Sequence, residues 1–257
     1  MSEKIVRKYG WKKDKVDIRD FKYAAPPQHI DNLPPSVDLR PNMPPIYDQK
    51  QLSSCTANAI CAAVQFDKKK QGLPDADQFP SRLFVYYNER DIEGSVNEDG
   101  GASIRDGIKS IASQGVCSEG IWPYLEENVF TKPTDEAYNV AKTHLAVQYH
   151  SVNQDLNQLK ACLTEGYPIV CGIMLYSQFE SQEAAKNGII TMPQNGDQCL
   201  GGHAVQICGY NDDTQQFTMR NSWGPDWGGN GGYFFIPYQY ITNPQLSCDF
   251  WTVRLVQ

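Results

Sequence analysis

The chain has 257 residues, of which 40% are hydrophobic, and a formal net charge of −7. This length and composition suffice for one large core or for two lobes packed together. The acidic balance argues against nucleic-acid backbones as partners, and no apolar run approaches the roughly 18 residues of a membrane span. We therefore expect a globular protein with neither nucleic-acid nor membrane partners.

The first 32 residues form a charged segment with aromatic side chains at Tyr9 and Trp11. They lack the apolar core of a secretory signal, so the chain as written is expected to be cytoplasmic or otherwise intracellular, with secretion and virion packaging left open. The aromatic side chains are suited to docking on the rest of the protein. A Pro-rich, extended stretch from Pro26 to Pro45 follows.

Helical spacing of apolar residues then predicts helices at about 55–70, 81–91 and 103–114. Ser53 or Ser54 can cap the first of these, which ends at three lysines, residues 68–70, and at Gly72. These three helices would form a helical lobe.

The second half begins with an amphipathic helix that Asp155 can cap. Five strands are predicted after it, at Ile169 to Tyr176, His203 to Tyr210, Phe217 to Arg220, Tyr233 to Ile236 and Phe250 to Val256. Such largely consecutive strands favour an antiparallel sheet or half-barrel.

Cys55 lies at the N-terminal edge of the first predicted helix. A free thiol with a pKa near 8.5 is mostly unreactive at neutral pH unless something stabilises the thiolate. The unpaired N–H groups and the positive end of the dipole at a helix N-terminus favour an anion. Cys55 is therefore a candidate nucleophile.

A thiol nucleophile needs a base, and an imidazole can take the proton and return it to a leaving amine near neutral pH. Of four histidines, His29 lies in the Pro-rich stretch, and His144 and His150 lie in an ordinary amphipathic region. Only His203 opens a dense apolar run that is typical of a buried strand. The alternative is a histidine of the core without a chemical role.

Asn221 begins the sequence Asn-Ser-Trp-Gly at the end of the next predicted strand. Neighbouring antiparallel strands can bring its side-chain carbonyl to one ring nitrogen of His203, leaving the other nitrogen for the thiol. Trp223 could shield that hydrogen bond from water. The alternative is a turn with an anchoring aromatic residue.

Together these residues resemble the papain-like cysteine peptidases, in which Gln, Cys, His and Asn follow in this order. His203 comes 148 residues after Cys55, within the family's interval, while Asn221, at 166 residues, exceeds it modestly. The resemblance covers about Leu33 to Asp249. Leu52 and Thr56 replace the family's usual Cys and Trp, so its disulfide near the nucleophile is absent, a pattern more similar to microbial or viral branches.

The resemblance implies an α+β, papain-like two-lobe fold with the active site in the cleft between the lobes. The helical left lobe would span about 46–150 and the right lobe, an antiparallel sheet or half-barrel, about 151–257, with 33–45 crossing over. Residues 1–32 would be a short pro-segment or N-terminal arm that covers part of the cleft. The alternative is a strap packed on the back of a lobe.

By the same resemblance, Cys55 attacks the scissile carbonyl as a thiolate paired with the His203 imidazolium. Asn221 orients the ring, and Gln49 with the Cys55 backbone N–H stabilises the oxyanion. The expected substrate contacts are Gly100, Gly101, Gly202 and Trp223. Gly100 and Gly101 would pair with an extended peptide, unless they form only a loop that enters a helix.

The implied function is that of a cysteine endopeptidase acting on polypeptides. An apolar side chain two positions before the cut and a pocket floor at residues 243–247 are weaker expectations. The alternatives are a catalytically quiet binding module of the same fold and a different Cys-His enzyme that transfers amides.

No cofactor or metal is expected, because the eight cysteines lack the spacing of paired zinc ligands. Most are expected to be free thiols, although an even number would permit disulfides outside the cell. A monomer is expected.

Overall fold

The computed structural model describes residues 8–257, so residues 1–7 of the predicted N-terminal arm lie outside it. The helices are α1 (Pro27–Ile30), α2 (Cys55–Gln71), α3 (Arg82–Glu93), α4 (Ile104–Ser113), α5 (Asp135–Ala141), α6 (Leu156–Thr164), α7 (Gln182–Asn187) and α8 (Tyr238–Thr242). The three helices predicted in the first half are thus confirmed as α2, α3 and α4, and the helix expected after Asp155 is α6.

The strands are β1 (Trp11–Lys12), β2 (Lys22–Tyr23), β3 (Ser36–Asp38), β4 (Ala102–Ser103), β5 (Ala146–Val152), β6 (Ile169–Tyr176), β7 (Cys199–Asn211), β8 (Gln216–Arg220), β9 (Tyr233–Pro237) and β10 (Ser247–Val256). Among the described residues, one sheet has the order β2-β5-β10-β6-β7-β8-β9, with β3 paired to β7. The short strands β1 and β4 pair separately.

The five predicted strands are confirmed, but the sheet is larger than expected and not purely antiparallel. β5 and β2 extend it at one edge, and the β2–β5 pair is parallel. β5 includes His150, which the sequence had placed in an ordinary amphipathic region. Only Ala146 and Val152 are buried along β5, so its own apolar alternation is weak and its pairing with β10 makes it a strand.

Helix α2 runs through the centre of the molecule and is buried from Cys55 to Lys68. It ends where Gly72 takes a left-handed φ of +67° and its N–H bonds back to the carbonyls of Lys68 and Lys69. The end predicted from the lysines and the glycine is therefore confirmed. A central helix with a fixed end holds its first residue, Cys55, in a defined place.

Two hydrophobic cores lie on the two faces of the sheet. One contains α2, α3 and α4 together with Val170 and Ala204, whereas the other contains Ile169, Cys171 and Val205. Adjacent residues of β6 and β7 thus enter different cores, as the two-residue period of a strand requires. The N-terminus of α2 meets β7 between these cores. No helix among residues 8–257 is long and apolar enough to cross a membrane.

Candidate active site

Cys55 is the first residue of α2, and its side chain has no solvent exposure. The backbone N–H of Ala204 in β7 points to the Cys55 sulfur, with N and Sγ 3.4 Å apart. Because Ala204 follows His203 in the chain, this contact brings the thiol beside the predicted histidine. The contact joins residues 149 positions apart in sequence, across the junction of α2 and the sheet.

His203 and Asn221 meet where β7 and the end of β8 lie side by side. His203 Nε2 is 2.8 Å from Asn221 Oδ1, and the Ser222 backbone N–H also donates to this oxygen at 2.8 Å. The Trp223 ring stacks on the imidazole, with centroids 4.8 Å apart and planes inclined by 25°. His203 and Asn221 are 1% and 3% exposed, so their hydrogen bond is shielded from water.

Gln49 is held by both ends of its side chain and by its backbone. Its Oε1 accepts a hydrogen bond of 2.7 Å from the Ser222 hydroxyl, and its own N–H donates to the Ser222 carbonyl at 2.8 Å. Nε2 donates to Leu52 O at 2.9 Å and to Lys8 O at 3.3 Å. The amide is thus oriented with its nitrogen towards a carbonyl of the N-terminal segment.

The segment Lys8–Lys12, which we call the cleft segment, lies across these residues. Besides the Lys8 contact, the Gly10 carbonyl accepts a hydrogen bond of 2.8 Å from Ala102 N. Trp11 and Lys12 pair in parallel with β4. The Tyr9 ring lies 6.4 Å from the His203 ring and 6.2 Å from the Trp223 ring. These residues therefore lie beside the N-terminus of α2 and β7 over this short stretch.

The two glycines expected to contact an extended peptide, Gly100 and Gly101, differ in their backbone surroundings. Gly101 has a φ of +79°, and a Cβ there would lie 1.8 Å from the Gly10 carbonyl oxygen, so the close approach requires glycine. Its N–H donates to Tyr86 Oη at 3.1 Å, and Ala102 instead makes the backbone pair with the cleft segment. Gly100 is exposed, and a Cβ there would come no closer than 4.0 Å to Glu98. The structure does not bring Gly100 to the cleft segment.

Trp11 fills a pocket next to these residues and is 8% exposed. A Cβ on Gly202 would lie 2.6 Å from its ring, and one on Gly172 would lie 2.0 Å from it. Trp11 Nε1 donates to Asp249 Oδ2 at 3.1 Å, where Asp249 has an uncommon φ of +60°. A cavity of about 180 Å³ continues along the ring and is lined by Met174, Pro244, Gln245, Ser247 and Cys248.

The residues of this pocket and cleft that were missed in the sequence include Ala102, Gly172 and Asp249. Of these three, only Gly172 could have been identified from the sequence, because a glycine within a buried strand often marks a close approach by another group. Ala102 and Asp249 carried none, since their positions depend on strand pairing and on a backbone angle that no pattern predicts. Pro244 and Ser247 belong to the predicted pocket floor at 243–247.

Burial raises the pKa of the Cys55 thiol to about 11. The backbone N–H groups of Ala204, Gly10 and Thr56 act against this rise, whereas the buried carboxyl of Glu89 adds to it. The sequence led us to expect a thiolate at rest. With the cleft segment excluding water, desolvation of the anion instead favours the neutral thiol.

Thr56, the residue after Cys55, donates its hydroxyl hydrogen to Glu89 Oε2 at 2.7 Å. Burial holds the pKa of Glu89 well above its ordinary value. This contact fixes the first turn of α2 to α3.

Within residues 8–257, no group of three or more His, Cys, Asp or Glu side chains could hold a metal ion. All eight cysteines are free in the structure. The groups that meet around Cys55 are a thiol, an imidazole and two amides, a set suited to acyl transfer.

A family model described as papain family cysteine protease matches residues 33–248. An uncharacterised peptidase C1-like protein of Acanthamoeba polyphaga mimivirus is 40% identical over 98% of this chain and 88% of its own length. Cathepsin B-like CP2 of Giardia intestinalis is 27% identical over 84% of this chain and 74% of its own length.

Among solved structures, xylellain, a cysteine protease from Xylella fastidiosa, matches with a TM-score of 0.91 and 43% identity. The match covers 97% of this chain and 96% of that one. Procathepsin B S9 from Trypanosoma congolense matches with a TM-score of 0.73 at 18% identity, over 89% of this chain and 80% of its own, and shares the fold. The expected α+β two-lobe fold is confirmed.

Proposed function

The chain belongs to the papain family of cysteine proteases, and on that premise we propose that it is an endopeptidase whose nucleophile is Cys55. His203 is its general base and acid, Asn221 orients the imidazole, and Gln49 stabilises the oxyanion. One observation carries this proposal: four side chains from separate segments converge. Ala204 N contacts Cys55 Sγ, His203 contacts Asn221, and Ser222 ties Asn221 to Gln49.

The geometry supports one order of events. Asn221 Oδ1 fixes His203 Nε2 as a donor, so we assign Nδ1 to take the thiol proton. The Cys55 sulfur then attacks the scissile carbonyl carbon, and the oxygen of the tetrahedral intermediate accepts from Gln49 Nε2 and from the Cys55 N–H. His203 returns the proton to the leaving amine, and water hydrolyses the thioester. Each oxyanion donor contributes about 2.7–4 kcal/mol to the lowering of the barrier.

The course of the cleft segment supports internal rather than terminal cleavage. The chain passes Gln49 at Lys8, crosses Ala102 at Gly10, and continues beyond Trp11 to residues outside the cleft. A cleft that accommodates a continuing chain in this way can accept an internal segment of a polypeptide. The Trp11 pocket would take a large apolar or aromatic side chain of the substrate.

We further propose that the cleft segment inhibits the enzyme and is not itself a substrate. The Lys8 carbonyl occupies the Gln49 donor, and the Gly10 N–H faces the Cys55 sulfur. A scissile carbonyl must present its oxygen to Gln49 and its carbon to the sulfur, whereas the carbonyl at Gln49 is that of Lys8, two residues before Gly10. The segment can therefore block the cleft without being cut.

The decisive test uses a chain lacking residues 1–12, which removes the cleft segment but keeps β2. We expect this chain to cleave peptides and to be labelled at Cys55 by a peptide epoxide. Cys55→Ala should abolish both activities and His203→Ala should lower both by at least about 100-fold, because the thiolate is lost. Cys199→Ala, at an exposed thiol in β7, is the matched control and should change neither.

Peptide cleavage that persists in Cys55→Ala would exclude Cys55 as the nucleophile. If the chain removed only terminal residues from the peptides of a library, the proposed endopeptidase activity would be excluded. Size-exclusion chromatography of the full chain would check the predicted monomer.

A further inference from the structure

Gln49 lies in a segment that belongs to no helix or strand. This segment, residues 44–49, which we call the Gln49 segment, makes one isolated β-bridge, between Asp48 and Trp223. A backbone without regular structure is positioned by its contacts with the rest of the chain. Those contacts therefore determine where the Gln49 amide lies.

Arg220, at the end of β8, holds the start of the Gln49 segment. Its side chain is buried, with Arg220 3% exposed, and its Nη1 donates to Pro44 O at 2.6 Å and its Nη2 to Pro45 O at 2.5 Å. Proline has no N–H, so these two residues can form backbone hydrogen bonds only through their carbonyls. A planar guanidinium offers two N–H groups in a fixed fork and can bond both carbonyls at once.

The residues that follow this arginine contact the Gln49 segment at every second position. Ser222 donates its hydroxyl to Gln49 Oε1 at 2.7 Å, and its carbonyl accepts from Gln49 N at 2.8 Å. Gly224 N donates to Tyr47 O at 3.0 Å. Asn221, which bonds the imidazole, lies within the same stretch of chain. One stretch, residues 220–224, thus aligns both the imidazole and the proposed oxyanion donor.

A second buried arginine holds the other end of the Gln49 segment. Arg82 in α3 donates from Nη1 to Asp48 O at 3.0 Å, and its Nε donates to Glu119 Oε1 at 2.6 Å. The guanidinium carbons of Arg82 and Arg220 lie 4.9 Å and 5.0 Å from the centroid of the Tyr47 ring. Both cations are attracted to the electron-rich face of this ring. Two guanidinium groups and one aromatic ring therefore fix the course of the segment.

We propose that Arg220 is a positioning residue for the proteolytic reaction, whose bonds to the two proline carbonyls set the position of Gln49 relative to Cys55. A shift of the Gln49 amide weakens the hydrogen bond that the tetrahedral intermediate requires. This inference rests on the proposed roles of Gln49 and Cys55, and its test measures the oxyanion donor and the thiol separately.

The test uses the chain lacking residues 1–12, because the cleft segment covers the site in the full chain. This deletion removes one buried hydrophobic side chain, Trp11, from the two cores. The same variants in full-length Trp11→Ala, whose cleft segment has lost its anchor, give a second background. Two rates are measured for each variant: peptide hydrolysis, which needs the oxyanion donors, and alkylation of Cys55 by iodoacetamide. Alkylation displaces iodide from a saturated carbon and forms no oxyanion.

Arg220→Lys keeps the positive charge but loses the planar fork, so at least one proline carbonyl loses its partner. We expect kcat for peptide hydrolysis to fall by about 10-fold or more with KM little changed, because a misplaced donor is lost only in the transition state. Alkylation of Cys55 should stay within about 2-fold of the parent chain. Unchanged kcat in Arg220→Lys would overturn the proposal.

Gln49→Ala tests whether Arg220 acts through Gln49. We expect this variant to lower kcat by about 100-fold. Arg220→Lys then has no amide left to misplace, so the double variant should hydrolyse peptides within about 2-fold of Gln49→Ala. Losses that multiply in the double variant would overturn the proposal. So would alkylation that slows as much as hydrolysis, since the effect would then lie at the thiol or at Asn221.

Arg254→Lys is the matched control, because Arg254 in β10 is also largely buried and donates to Glu165 Oε2 at 2.6 Å. Glu165 also accepts a hydrogen bond from Lys70, near the end of α2 that is opposite Cys55. We expect this variant to lower the melting temperature about as much as Arg220→Lys but to leave kcat and alkylation unchanged. An equal loss of kcat in both variants would show a general loss of packing and would overturn the proposal. If Cys55 were not the nucleophile, Cys55→Ala would retain hydrolysis, an outcome that no result for Arg220 would produce.

Discussion

Ser222 connects the two halves of the candidate site through one side chain and its backbone. Its hydroxyl donates to Gln49 Oε1, its N–H donates to Asn221 Oδ1, and its carbonyl accepts from Gln49 N. The hydroxyl decides which end of the Gln49 amide faces the cleft, because an oxygen and a nitrogen in that amide have opposite hydrogen-bonding roles.

Ser222→Ala should therefore misorient the oxyanion donor while leaving substrate binding nearly intact. We expect kcat to fall by about 10-fold or more with KM within about 2-fold of wild type, measured on a chain lacking residues 1–12. Ser113→Ala, at an exposed position in α4, is the control and should alter neither constant. A rise in KM with unchanged kcat would contradict the role in orienting Gln49.

Trp11 is the cleft segment's main anchor, since its ring is buried against Gly172 and Gly202. Truncating a buried tryptophan removes about 3–5 kcal/mol of packing. Trp11→Ala in the full chain should therefore raise the rate of Cys55 labelling at least about 10-fold, since the cleft opens more often. Lys12→Ala is the control: its ion pair with Glu93 is exposed and contributes little, so labelling should hardly change. Equal rates in both variants would mean that Trp11 does not hold the segment in place.

At the scale of elements, the N-terminal arm divides into two parts with different surroundings. Residues 8–12 lie in the cleft, whereas β2 extends the sheet beside β5, and Tyr23 and Ala25 are buried in the second core. Tyr23 Oη also donates to Glu165 at 2.9 Å. We propose that the two alternatives raised by the sequence, a cover over the cleft and a strap on a lobe, apply to different residues of one arm.

Deleting residues 1–12 should therefore release the cleft with little loss of stability, while deleting residues 1–32 should also expose part of the second core. We expect the shorter deletion to give the whole gain in Cys55 labelling. The longer one should lower the melting temperature by several degrees more, since burial of Tyr23 alone contributes about 1.5–3 kcal/mol. Thermal unfolding and labelling of both chains check this. Equal melting temperatures would contradict a structural role for β2.

Asp14 follows the cleft segment and is half-buried, in contact with Arg105 of α4 and Trp251 of β10. Its N–H donates to Asp249 Oδ2 at 2.7 Å, and its carboxyl accepts from Arg105 N at 3.0 Å and from Trp251 Nε1 at 2.8 Å. Burial, and then the charge of Asp249, raise the pKa of Asp14 to about 7; Asp106 adds to the rise. The charged groups near this pair are Asp249, Asp106 and Lys13, and the Arg105 side chain pairs with Asp17 and Asp20.

The docked arm thus favours protonated Asp14, whereas a released arm would have an ordinary carboxyl pKa near 4. Below about pH 4, Asp14 is protonated in both states and its ionisation does not affect the free energy of docking. Between about pH 4 and 7, docking becomes progressively less favourable, because only the released arm can ionise Asp14 freely. Above about pH 7 this loss of docking free energy stays constant. Cys55 labelling of the full chain, divided by that of the chain lacking residues 1–12, should therefore rise between pH 4.5 and 7. Asp14→Asn should flatten this ratio, and an unchanged slope in that variant would contradict the assignment.

At the scale of the whole molecule, the site lies where two cores meet. The first core fixes α2 and Cys55, and the second fixes the opposite faces of β6, β7 and β8. Because His203 lies on β7 and Asn221 directly follows β8 of the same sheet, their geometry depends on the β7–β8 register. Removal of a side chain from either core is thus expected to misplace one half of the site against the other.

Ile207→Ala removes a side chain without solvent exposure from the second core, in a strand that also carries His203. We expect a loss of about 2–5 kcal/mol in the free energy of unfolding, measured by urea denaturation. Ile189→Ala, at a residue that is 51% exposed, is the matched control and should change it by less than about 0.5 kcal/mol. Similar losses in both would contradict the position of the second core.

The sequence by itself determined the elements whose causes are local. The helical spacing up to Gly72 and the dense apolar run after His203 each act over a few residues, whereas the expected serine cap of α2 does not form. The order of Gln49, Cys55, His203 and Asn221 pointed to the family. Only the tertiary structure decided what depends on distant pairing. β5 is a strand because β10 lies beside it, and Ala102 rather than Gly101 pairs with the cleft segment because the Gly101 N–H is bonded to Tyr86. The raised pKa of the Cys55 thiol likewise follows from burial beneath residues more than 40 positions away in the chain, which no local pattern encodes.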